Sequence, residues 1–320
     1  MLLITGATGF IGKNLIPEIT KQKAVRILVR RTSNLDFIRG KGALEIAYAD
    51  LEKGEGIDDA LKGVDIVIHC AARTMGRNFL QYYRTNTEGT ANLLKALTKR
   101  NIKGIMYLSS HAACGPGSEK NACKEMVRPR PISFYGMTKK LAEEIIRKSG
   151  VPYTILRPVS VYGPYDMDIL KYIRLLNQGI CPIVGFREKY LNLIYVRDLV
   201  DLIIKIVDAE KFDSQTYFVN DGNCYSFTEI LSEIQKNLQK RNIKIYVPET
   251  LALFIGLMND VFLPEQKMII GRDRMKDLAA AFWLCSNEKF VNEFKFTPQY
   301  SLAKGMEETI VWYKKAGFLK

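Results

Sequence analysis

The sequence lacks the features of a membrane-spanning or metal-binding protein. Its most apolar later stretch, residues 251–258, covers about eight residues, whereas a helix that crosses a bilayer needs roughly 20. It has only two histidines, and its six cysteines form neither a CxxC pair nor a Cys/His metal spacing. We therefore predict no integral membrane segment, no metal site and free thiols, as in a reducing compartment.

Signals for secretion and for nucleic-acid binding are also missing. The chain opens with MLLITG, a predicted strand that runs into a glycine turn and leaves no room for the regions of a cleavable signal peptide. The formal charge of +13 would attract anionic partners, but the basic residues form no stripe interleaved with aromatics. We expect a cytoplasmic protein that acts on a small-molecule substrate and binds no nucleic acid.

The composition is that of an ordinary folded protein, with 47% hydrophobic and 25% charged residues. Short aliphatic runs alternate with amphipathic segments, a pattern typical of a parallel sheet with crossover helices. The predicted strands span residues 2–5, 25–29, 44–47, 64–69, 105–109 and 153–156, and the predicted helices span 12–21, 87–99 and 136–148. The pattern predicts a doubly wound, Rossmann-like α/β fold.

The chain is too long for one small core, so we predict two parts. Residues 1–158 are expected to form a dinucleotide-binding Rossmann domain, and residues 159–320 mainly a smaller, interleaved substrate-binding lobe. A late strand near residues 215–220 is expected to return to the first sheet. The segment 116–131 mixes glycine, proline and charge and is predicted to loop over the site.

The segment TGATGFIG lies between the first strand and the first helix. Its glycines allow the backbone to approach a pyrophosphate closely, and the helix N-terminus then faces the phosphates. A glycine string alone is a weak signal, but its position after a strand makes it specific. The predicted cofactor-binding residues of this loop are Gly6, Thr8, Gly9, Phe10, Ile11 and Gly12.

The second predicted strand ends in Arg30 and Arg31, where NAD-binding proteins of this type carry an acid for the ribose hydroxyls. Guanidinium groups there suit a 2′-phosphate, which favours NADP. Two solvated arginines at the start of a loop are the alternative interpretation, so NAD stays open. Residues of two further strand ends are predicted to complete the cofactor pocket, namely Asp50, Leu51, Ala71 and Ala72.

A second group of residues has the spacing of a hydride-transfer site. Ser110 follows a predicted strand, and Tyr135 and Lys139 lie four residues apart on one helix face. A tyrosine has an ordinary pKa near 10, so a nearby cation is needed before it acts as acid or base near neutrality. Lys139 would supply that cation, Ser110 would bond to the substrate oxygen, and Asn86 would anchor a proton-relay water.

Three other reactive side chains close to these motifs are predicted to be structural. His111 follows Ser110, but the proton path is already supplied. His69 ends a buried strand, and Cys114 is expected to be a small buried apolar residue.

Together these motifs resemble the extended short-chain dehydrogenase/reductase family over nearly the whole chain. The matching segments are TGATGFIG, Asp-Leu at 50–51, VIHCAA, NTEGTANLL, the serines at 109–110, YGMTK, LRPVSVYGP, YVRDLVDLI and FTPQYSLAKGMEETIVWY. The resemblance implies an enzyme with Ser110, Tyr135 and Lys139 as its catalytic group. It also implies that Pro158, Val159 and Ser160 lie beside the nicotinamide. Helices 87–99 and 136–148 resemble the helices that pair between two copies in relatives, which implies a homodimer.

The sequence indicates the branch within this family less clearly than the family itself. The family includes carbonyl reductases similar to dihydroflavonol reductase and 3β-hydroxysteroid dehydrogenase, and also nucleotide-sugar epimerases and dehydratases that use tightly bound NAD. Sugar-nucleotide members usually carry Asn and Arg where this chain has Ser160 and Leu191. We therefore favour an NAD(P)-dependent oxidoreductase. The epimerase or dehydratase alternative stays open, because Arg187 or Lys189 could replace the two missing contacts to a diphosphate. A cofactor-sensing regulator is disfavoured, because the Tyr/Lys pair is retained.

Overall fold

The computed structural model describes residues 1–38, 44–118, 122–263 and 271–319. Its strands are β1 (Leu2–Thr5), β2 (Val25–Val29), β3 (Leu44–Tyr48), β4 (Ile66–His69), β5 (Gly104–Leu108), β6 (Tyr153–Pro158), β7 (Ser160–Tyr162), β8 (Ile180–Val184), β9 (Tyr190–Leu191), β10 (Leu193–Tyr195), β11 (Gln215–Val219), β12 (Tyr225–Ser226), β13 (Ile243–Val247) and β14 (Phe282–Trp283). Its α-helices are α1 (Phe10–Ile19), α2 (Ile57–Ala60), α3 (Phe79–Tyr83), α4 (Gly89–Leu97), α5 (Phe134–Lys148), α6 (Met167–Asn177), α7 (Val196–Asp208), α8 (Phe227–Leu238), α9 (Glu249–Phe262), α10 (Arg272–Ala279), α11 (Glu288–Phe294) and α12 (Leu302–Lys315). Short 3-10 turns lie at Asp36–Ile38 and His111–Ala113, and a π-helical turn lies at Arg84–Glu88.

The central sheet has seven described strands in the order β11-β6-β5-β4-β1-β2-β3, and all its neighbouring strands pair in parallel. The predicted doubly wound α/β fold is therefore confirmed. The strand order reverses direction between β1 and β4. Ligands of such sheets bind at the carboxyl ends of the strands beside this switch point.

Side chains of the sheet alternate between two hydrophobic cores, as the pleat of a strand requires. In β1, Leu2 and Ile4 join the core under α1 and α7, whereas Leu3 joins the core under α4 and α5. All four residues of β1 and of β4 are buried, as expected for a parallel sheet covered by helices on both faces. Each fully buried Leu or Ile contributes about 1.5–3 kcal/mol to stability.

The second half of the chain builds its own hydrophobic core, in which α6, α8 and α12 take part. It also contributes β11, which pairs with β6 so that Tyr217 lies opposite Leu156. This pairing confirms the late strand that the sequence predicts. The division at residue 158 between a cofactor domain and a substrate lobe stays a prediction.

Several element boundaries differ from the predicted ones. The first helix begins at Phe10 rather than at residue 12, and the helix predicted at 87–99 begins with the π-helical turn Arg84–Glu88 before α4. Of the loop predicted at 116–131, residues 119–121 lie outside the described residues. In the part of the chain that the structure describes, every helix is too short or too polar to cross a membrane.

Candidate active site

Two glycines of the loop between β1 and α1 lie at positions that are too tightly packed for a side chain. Gly6 has a φ of +72°, and a Cβ there would lie 2.6 Å from the backbone nitrogen of Ala71. A Cβ on Gly12 would lie 2.4 Å from the carbonyl oxygen of Gly6. Gly9 caps the N-terminus of α1 without a side-chain hydrogen bond, which leaves open backbone at a helix end that favours anions. This cradle fits the pyrophosphate group of a dinucleotide.

The two arginines predicted to bind a 2′-phosphate lie at the carboxyl end of β2. Arg30 and Arg31 are both exposed, and the Arg31 guanidinium lies 5.3 Å from the centre of the Tyr48 ring. Contact with an aromatic face holds a guanidinium in place while its N–H groups stay available. Contact of these two side chains with the adenosine ribose stays a prediction.

The two residues predicted to contact adenine, Asp50 and Leu51, form interactions within the protein. The Asp50 carboxylate accepts hydrogen bonds from the backbone of Glu52 at 2.9 Å and of Lys53 at 3.2 Å. Leu51 is buried in the core under α4. Asp50 thus stabilises the turn after β3, and a role of these two residues toward adenine stays a prediction.

The residues predicted beside the nicotinamide lie at the same edge of the sheet as the glycine loop. Ala71 and Ala72 follow β4, and the Ala71 N–H donates to the Thr5 hydroxyl at 3.2 Å. Pro158 ends β6, and the Val159 N–H donates to the carbonyl of Val219 at 3.1 Å. Ser160, the next residue, is exposed at the start of β7. The carboxyl ends of β1, β4 and β6 therefore surround one site.

The predicted catalytic residues meet above the carboxyl end of β5. Ser110 caps the short turn His111–Ala113, where its hydroxyl accepts from the Ala112 N–H at 3.1 Å, and it lies close enough to the Tyr135 phenol to act against the rise in pKa that burial causes there. Lys139 lies one helical turn after Tyr135 and is 1% exposed. Its ammonium donates to the carbonyl of Leu108 at 2.6 Å. The structure thus brings Ser110, Tyr135 and Lys139 together.

Burial sets the protonation of these groups. It raises the pKa of Tyr135, while the Arg274 guanidinium and the Ser110 hydrogen bond act in the opposite direction. Burial lowers the pKa of Lys139 to about 7. Without a cofactor, the phenol therefore carries its proton at neutral pH. A protonated phenol held by a serine hydroxyl can donate a proton to a substrate oxygen.

Asn86 is buried and hydrogen-bonded within the protein, and its role toward a relay water stays a prediction. Its amide nitrogen donates to the carbonyl of Arg73 at 3.1 Å and to the Thr138 hydroxyl at 3.0 Å, and its oxygen accepts from the Arg73 N–H at 2.7 Å. Both amide hydrogens are therefore used, so a relay water would bond to a remaining lone pair of the amide oxygen or of the backbone carbonyl oxygen. These bonds give Asn86 a positioning role between the loop after β4 and helix α5.

Sequence reasoning missed two residues of α10 at this site. The Asp273 carboxylate accepts from the N–H groups of Phe134 at 2.7 Å and Tyr135 at 3.1 Å. It thereby caps the helix that carries Tyr135. Arg274 is half-buried and acts electrostatically on the Tyr135 phenol. No local motif marks either residue, because the contact between Asp273 and Phe134 spans 139 positions.

Both histidines are buried, as expected of structural residues. His69 forms hydrogen bonds with the hydroxyls of Thr5 at 2.6 Å and Thr90 at 2.9 Å. His111 packs edge-on against the rings of Phe218 and Trp283. Burial lowers the pKa of both histidines to about 3, so they are neutral at physiological pH. Within the described ranges, no cluster of His, Cys, Asp and Glu has the arrangement of a metal site.

Comparisons with known proteins agree with this geometry. Residues 2–219 match the NAD dependent epimerase/dehydratase family. The chain is 29% identical over 262 residues to a UDP-glucose 4-epimerase of Vibrio cholerae, which covers 77% of this chain and 78% of that one. It is 24% identical to a ceramide reductase of Caulobacter vibrioides, over 100% of this chain and 96% of that one.

A solved structure supports the fold. MoeE5 in complex with UDP-glucuronic acid and NAD superimposes with a TM-score of 0.80 at 24% identity, over 98% of this chain and 99% of that one. The family match covers more than half of the chain. The protein is therefore an enzyme of the NAD-dependent epimerase/dehydratase family, within the extended short-chain dehydrogenases/reductases that its sequence motifs resemble.

Proposed function

We propose that this protein is an NAD(P)-dependent oxidoreductase that interconverts a carbonyl and an alcohol, with Tyr135 as the acid–base group. The observation that carries the proposal is the packing of α5 on the turn that Ser110 caps, with Tyr135 and the buried Lys139 one helical turn apart on α5. Residues 1–158 would hold the cofactor, and the lobe from residue 159 would hold the substrate.

The chain's own residues would handle the proton and the substrate oxygen. When bound, the nicotinamide supplies or accepts the hydride at the substrate carbon. Ser110 would hydrogen-bond to the carbonyl oxygen, and Tyr135 would donate its phenol proton there as the carbon becomes an alcohol. Lys139 would stabilise the phenolate left behind, because an adjacent cation favours the charged form of tyrosine. In the oxidative direction Tyr135 would take the proton back.

The glycine loop and the end of β2 would bind the two ends of the cofactor. The cradle at Gly6 and Gly12 would accept the pyrophosphate, and Arg30 and Arg31 would favour the 2′-phosphate of NADP over NAD. Fluorescence titration with NADPH and NADH tests this preference. We expect NADPH to bind at least about tenfold tighter, and Arg30→Ala to remove about 1.4 kcal/mol or more of that difference. Equal binding of the two cofactors would rule the preference out.

Replacement of the phenol tests the reaction itself. We expect Tyr135→Phe to lower kcat for reduction of a carbonyl panel by about 10³-fold, because general acid catalysis is lost, while cofactor affinity stays within twofold. Tyr83→Phe, in α3, is the matched control and should keep its rate. Retention of more than about a tenth of the wild-type rate in Tyr135→Phe would remove the tyrosine from the reaction.

The substrate lobe favours reduction over nucleotide-sugar chemistry. Ser160 and Leu191 carry no charge at the two positions where sugar-nucleotide enzymes usually bind a diphosphate. Of the two residues that could replace those contacts, Lys189 is buried and donates to the carbonyl of Leu278, whereas Arg187 is exposed. The full-length similarity to a protein named ceramide reductase agrees with this direction.

Epimerisation is the second candidate, favoured by the similarity to the Vibrio UDP-glucose 4-epimerase. An epimerase that returns the hydride to the same molecule would retain its cofactor. Mass spectrometry of the purified protein should then find bound NAD, and UDP-glucose should be converted without added cofactor. Net oxidation of added NADPH by a carbonyl substrate would decide for the reductase.

We also propose that the protein is a homodimer through helices α4 and α5 and that it acts in the cytoplasm. The two helices pack side by side, and the Met137 side chain on α5 is exposed. Sedimentation velocity at micromolar concentration should show a dimer that Met137→Glu dissociates. A wild-type monomer would remove this proposal.

A further inference from the structure

Helix α9 has an unusual distribution of apolar side chains. Its buried residues are Ala252 and Gly256, whereas Phe254, Val261 and Phe262 are 56%, 59% and 72% exposed. Exposed large hydrophobic residues are concentrated here: nine of the 21 such residues in the described chain fall within positions 243–262. They are Ile243, Ile245, Tyr246, Leu251, Phe254, Ile255, Leu257, Val261 and Phe262.

Six of these nine side chains lie on α9, where they form a continuous apolar arc, and the other three lie on β13. At about 100° per residue, the exposed hydrophobic residues of α9 and the partly exposed Met258 fall within an arc of about 160°, interrupted by Thr250 alone. The charged residues Glu249 and Asp260 lie beside the opposite side, which packs on the protein. Exposed hydrophobic side chains that adjoin one another in this way are typical of interaction sites.

Basic groups surround the arc. Lys240, Arg241 and Lys244 are exposed on the segment that leads into the helix. At the other end, the exposed Arg77 donates to the carbonyl of Leu263 at 2.5 Å, and Arg272 is exposed at the start of α10. Both lie near the Asp260 carboxylate, where they act against the rise in pKa that burial causes, so the charge at this end is partly balanced. A second copy of this face would bring these like charges together. An anionic lipid surface complements both the apolar arc and the cations.

Helix α9 contacts the catalytic residues indirectly, through α10. A Cβ on Gly256 would lie 2.8 Å from the Cα of Arg272, so α9 and α10 are in close backbone contact. The next residue of α10, Asp273, binds the N–H groups of Phe134 and Tyr135. A ligand on α9 is therefore one short helix away from the acid–base tyrosine.

We propose that α9 lies in the interface of an anionic lipid bilayer and that the substrate is a membrane-borne lipid carbonyl or alcohol, which enters the site beside α10. The docking surface stands on the geometry of α9 alone, whereas the substrate class rests on the proposed oxidoreductase function. The long apolar tail of such a substrate would stay in the bilayer while its polar carbon reaches Tyr135. The arc on α9 then serves as the contact that holds the enzyme at the surface.

Vesicle flotation tests the docking surface. The full-length protein is mixed with vesicles of phosphatidylcholine containing 30 mol% phosphatidylglycerol, or of phosphatidylcholine alone. We expect binding to the anionic vesicles that weakens at least tenfold in Phe254→Asp/Phe262→Asp. The matched control Met126→Asp/Val311→Asp replaces exposed hydrophobic residues outside α9 and should bind as the wild type does. Phe254→Ser/Phe262→Ser should weaken binding as well, which separates loss of the apolar arc from an added negative charge.

Vesicle binding by the wild type, its oligomeric state and its activity on a soluble substrate separate this proposal from its alternatives. Wild-type protein that does not bind anionic vesicles overturns it. Concentration-dependent dimerisation that the Asp double variant abolishes, without vesicle binding, assigns the arc to a second copy and overturns it too. Cofactor titration and reduction of a short, water-soluble ketone should be unchanged in the double variant. If those activities are absent even in the wild type while vesicle binding persists, the proposed oxidoreductase function fails and the docking surface stands.

Discussion

Helices α5 and α9 have 15 and 14 residues, and both depart from the usual pattern of apolar residues inside and charged residues outside. In α5, the ionisable side chains of Lys139 and Glu143 are buried and hydrogen-bonded. In α9, by contrast, large apolar side chains are exposed. Buried polar groups and exposed apolar patches are the informative exceptions in a folded protein. Here the first marks the proposed chemistry and the second the proposed contact with a lipid phase.

The buried charge in α5 is stabilised by several partners. The Glu143 carboxylate accepts from Arg157 Nε at 2.8 Å and Nη2 at 2.6 Å, and from the hydroxyl of Ser109 at 2.6 Å. Burial raises the pKa of Glu143, but Arg157 and Ser109 outweigh it and hold the pKa below its ordinary value. The carboxylate is thus ionised and fastens α5 to β6 behind the catalytic face.

The largest expected effect is loss of this carboxylate. Glu143→Ala leaves the buried Arg157 guanidinium unpaired, which should lower the free energy of unfolding by about 3–5 kcal/mol. The neighbouring Glu144 pairs with Lys140 at 3.6 Å near the surface, so Glu144→Ala should cost less than about 1 kcal/mol. Urea unfolding followed by circular dichroism measures both. Equal costs for the two variants would contradict the contrast between buried and surface charge.

A smaller effect is expected where α9 packs on α10. In Gly256→Ala the added methyl group would meet the Arg272 backbone at 2.8 Å. Because backbone cannot move aside as a rotamer does, the clash should cost about 1–3 kcal/mol despite the better helix propensity of alanine. The exposed neighbour provides the control, since Leu257→Ala should change stability by less than about 0.5 kcal/mol. Thermal unfolding of both variants in the absence of lipid checks this, and a costly Leu257→Ala would show that the arc is packed.

The third prediction is a dependence of stability on pH, which is modest for each pH unit. In the unfolded chain Lys139 has its ordinary pKa of 10.5, whereas burial lowers it to about 7 in the folded protein. Between these values the unfolded state binds more protons, so stability rises with pH. The rise attributable to Lys139 should approach about 1.4 kcal/mol per pH unit. The penalty for burying the charge is complete below about pH 7.

Comparison with Lys139→Met isolates this contribution. The free energy of unfolding of the cofactor-free wild type, measured from pH 7 to 10, should rise relative to that of the variant. Parallel curves would show that the ammonium is not desolvated in the folded state.

The sequence predicted the cofactor half of the fold closely. The bounds of β1 and β2 are those predicted, because a buried parallel strand leaves a continuous aliphatic run in the sequence. The meeting of Ser110, Tyr135 and Lys139 was also predictable, since helix periodicity and strand order place them together. The π-helical turn at Arg84–Glu88 was not predicted, and two of its residues, Asn86 and Thr87, form hydrogen bonds with Thr138 on another helix, a contact that local sequence does not reveal.

Residues fixed by distant contacts were missed for a physical reason. Asp273 and Arg274 lie on α10, which is short and polar and leaves only a weak periodic signal. The exposed arc of α9 was visible in the sequence as the apolar stretch 251–258. The sequence alone does not show whether such a stretch is buried or exposed, because tertiary packing decides this. Local pattern thus identified the elements, and long-range packing decided which faces they present.

The cap that Asp273 provides for α5 also orders events during biosynthesis. The ribosome makes residues 134–135 well before residue 273, and at about 5–20 residues per second the delay is on the order of ten seconds or longer. During that interval the nascent Rossmann half lacks the acceptor for the first N–H groups of its catalytic helix. Closing so long a loop is also entropically costly and slow. We therefore expect Tyr135 to be held firmly only after α10 has emerged and docked, and a fragment that ends before α10 to keep the sheet but hold Tyr135 loosely.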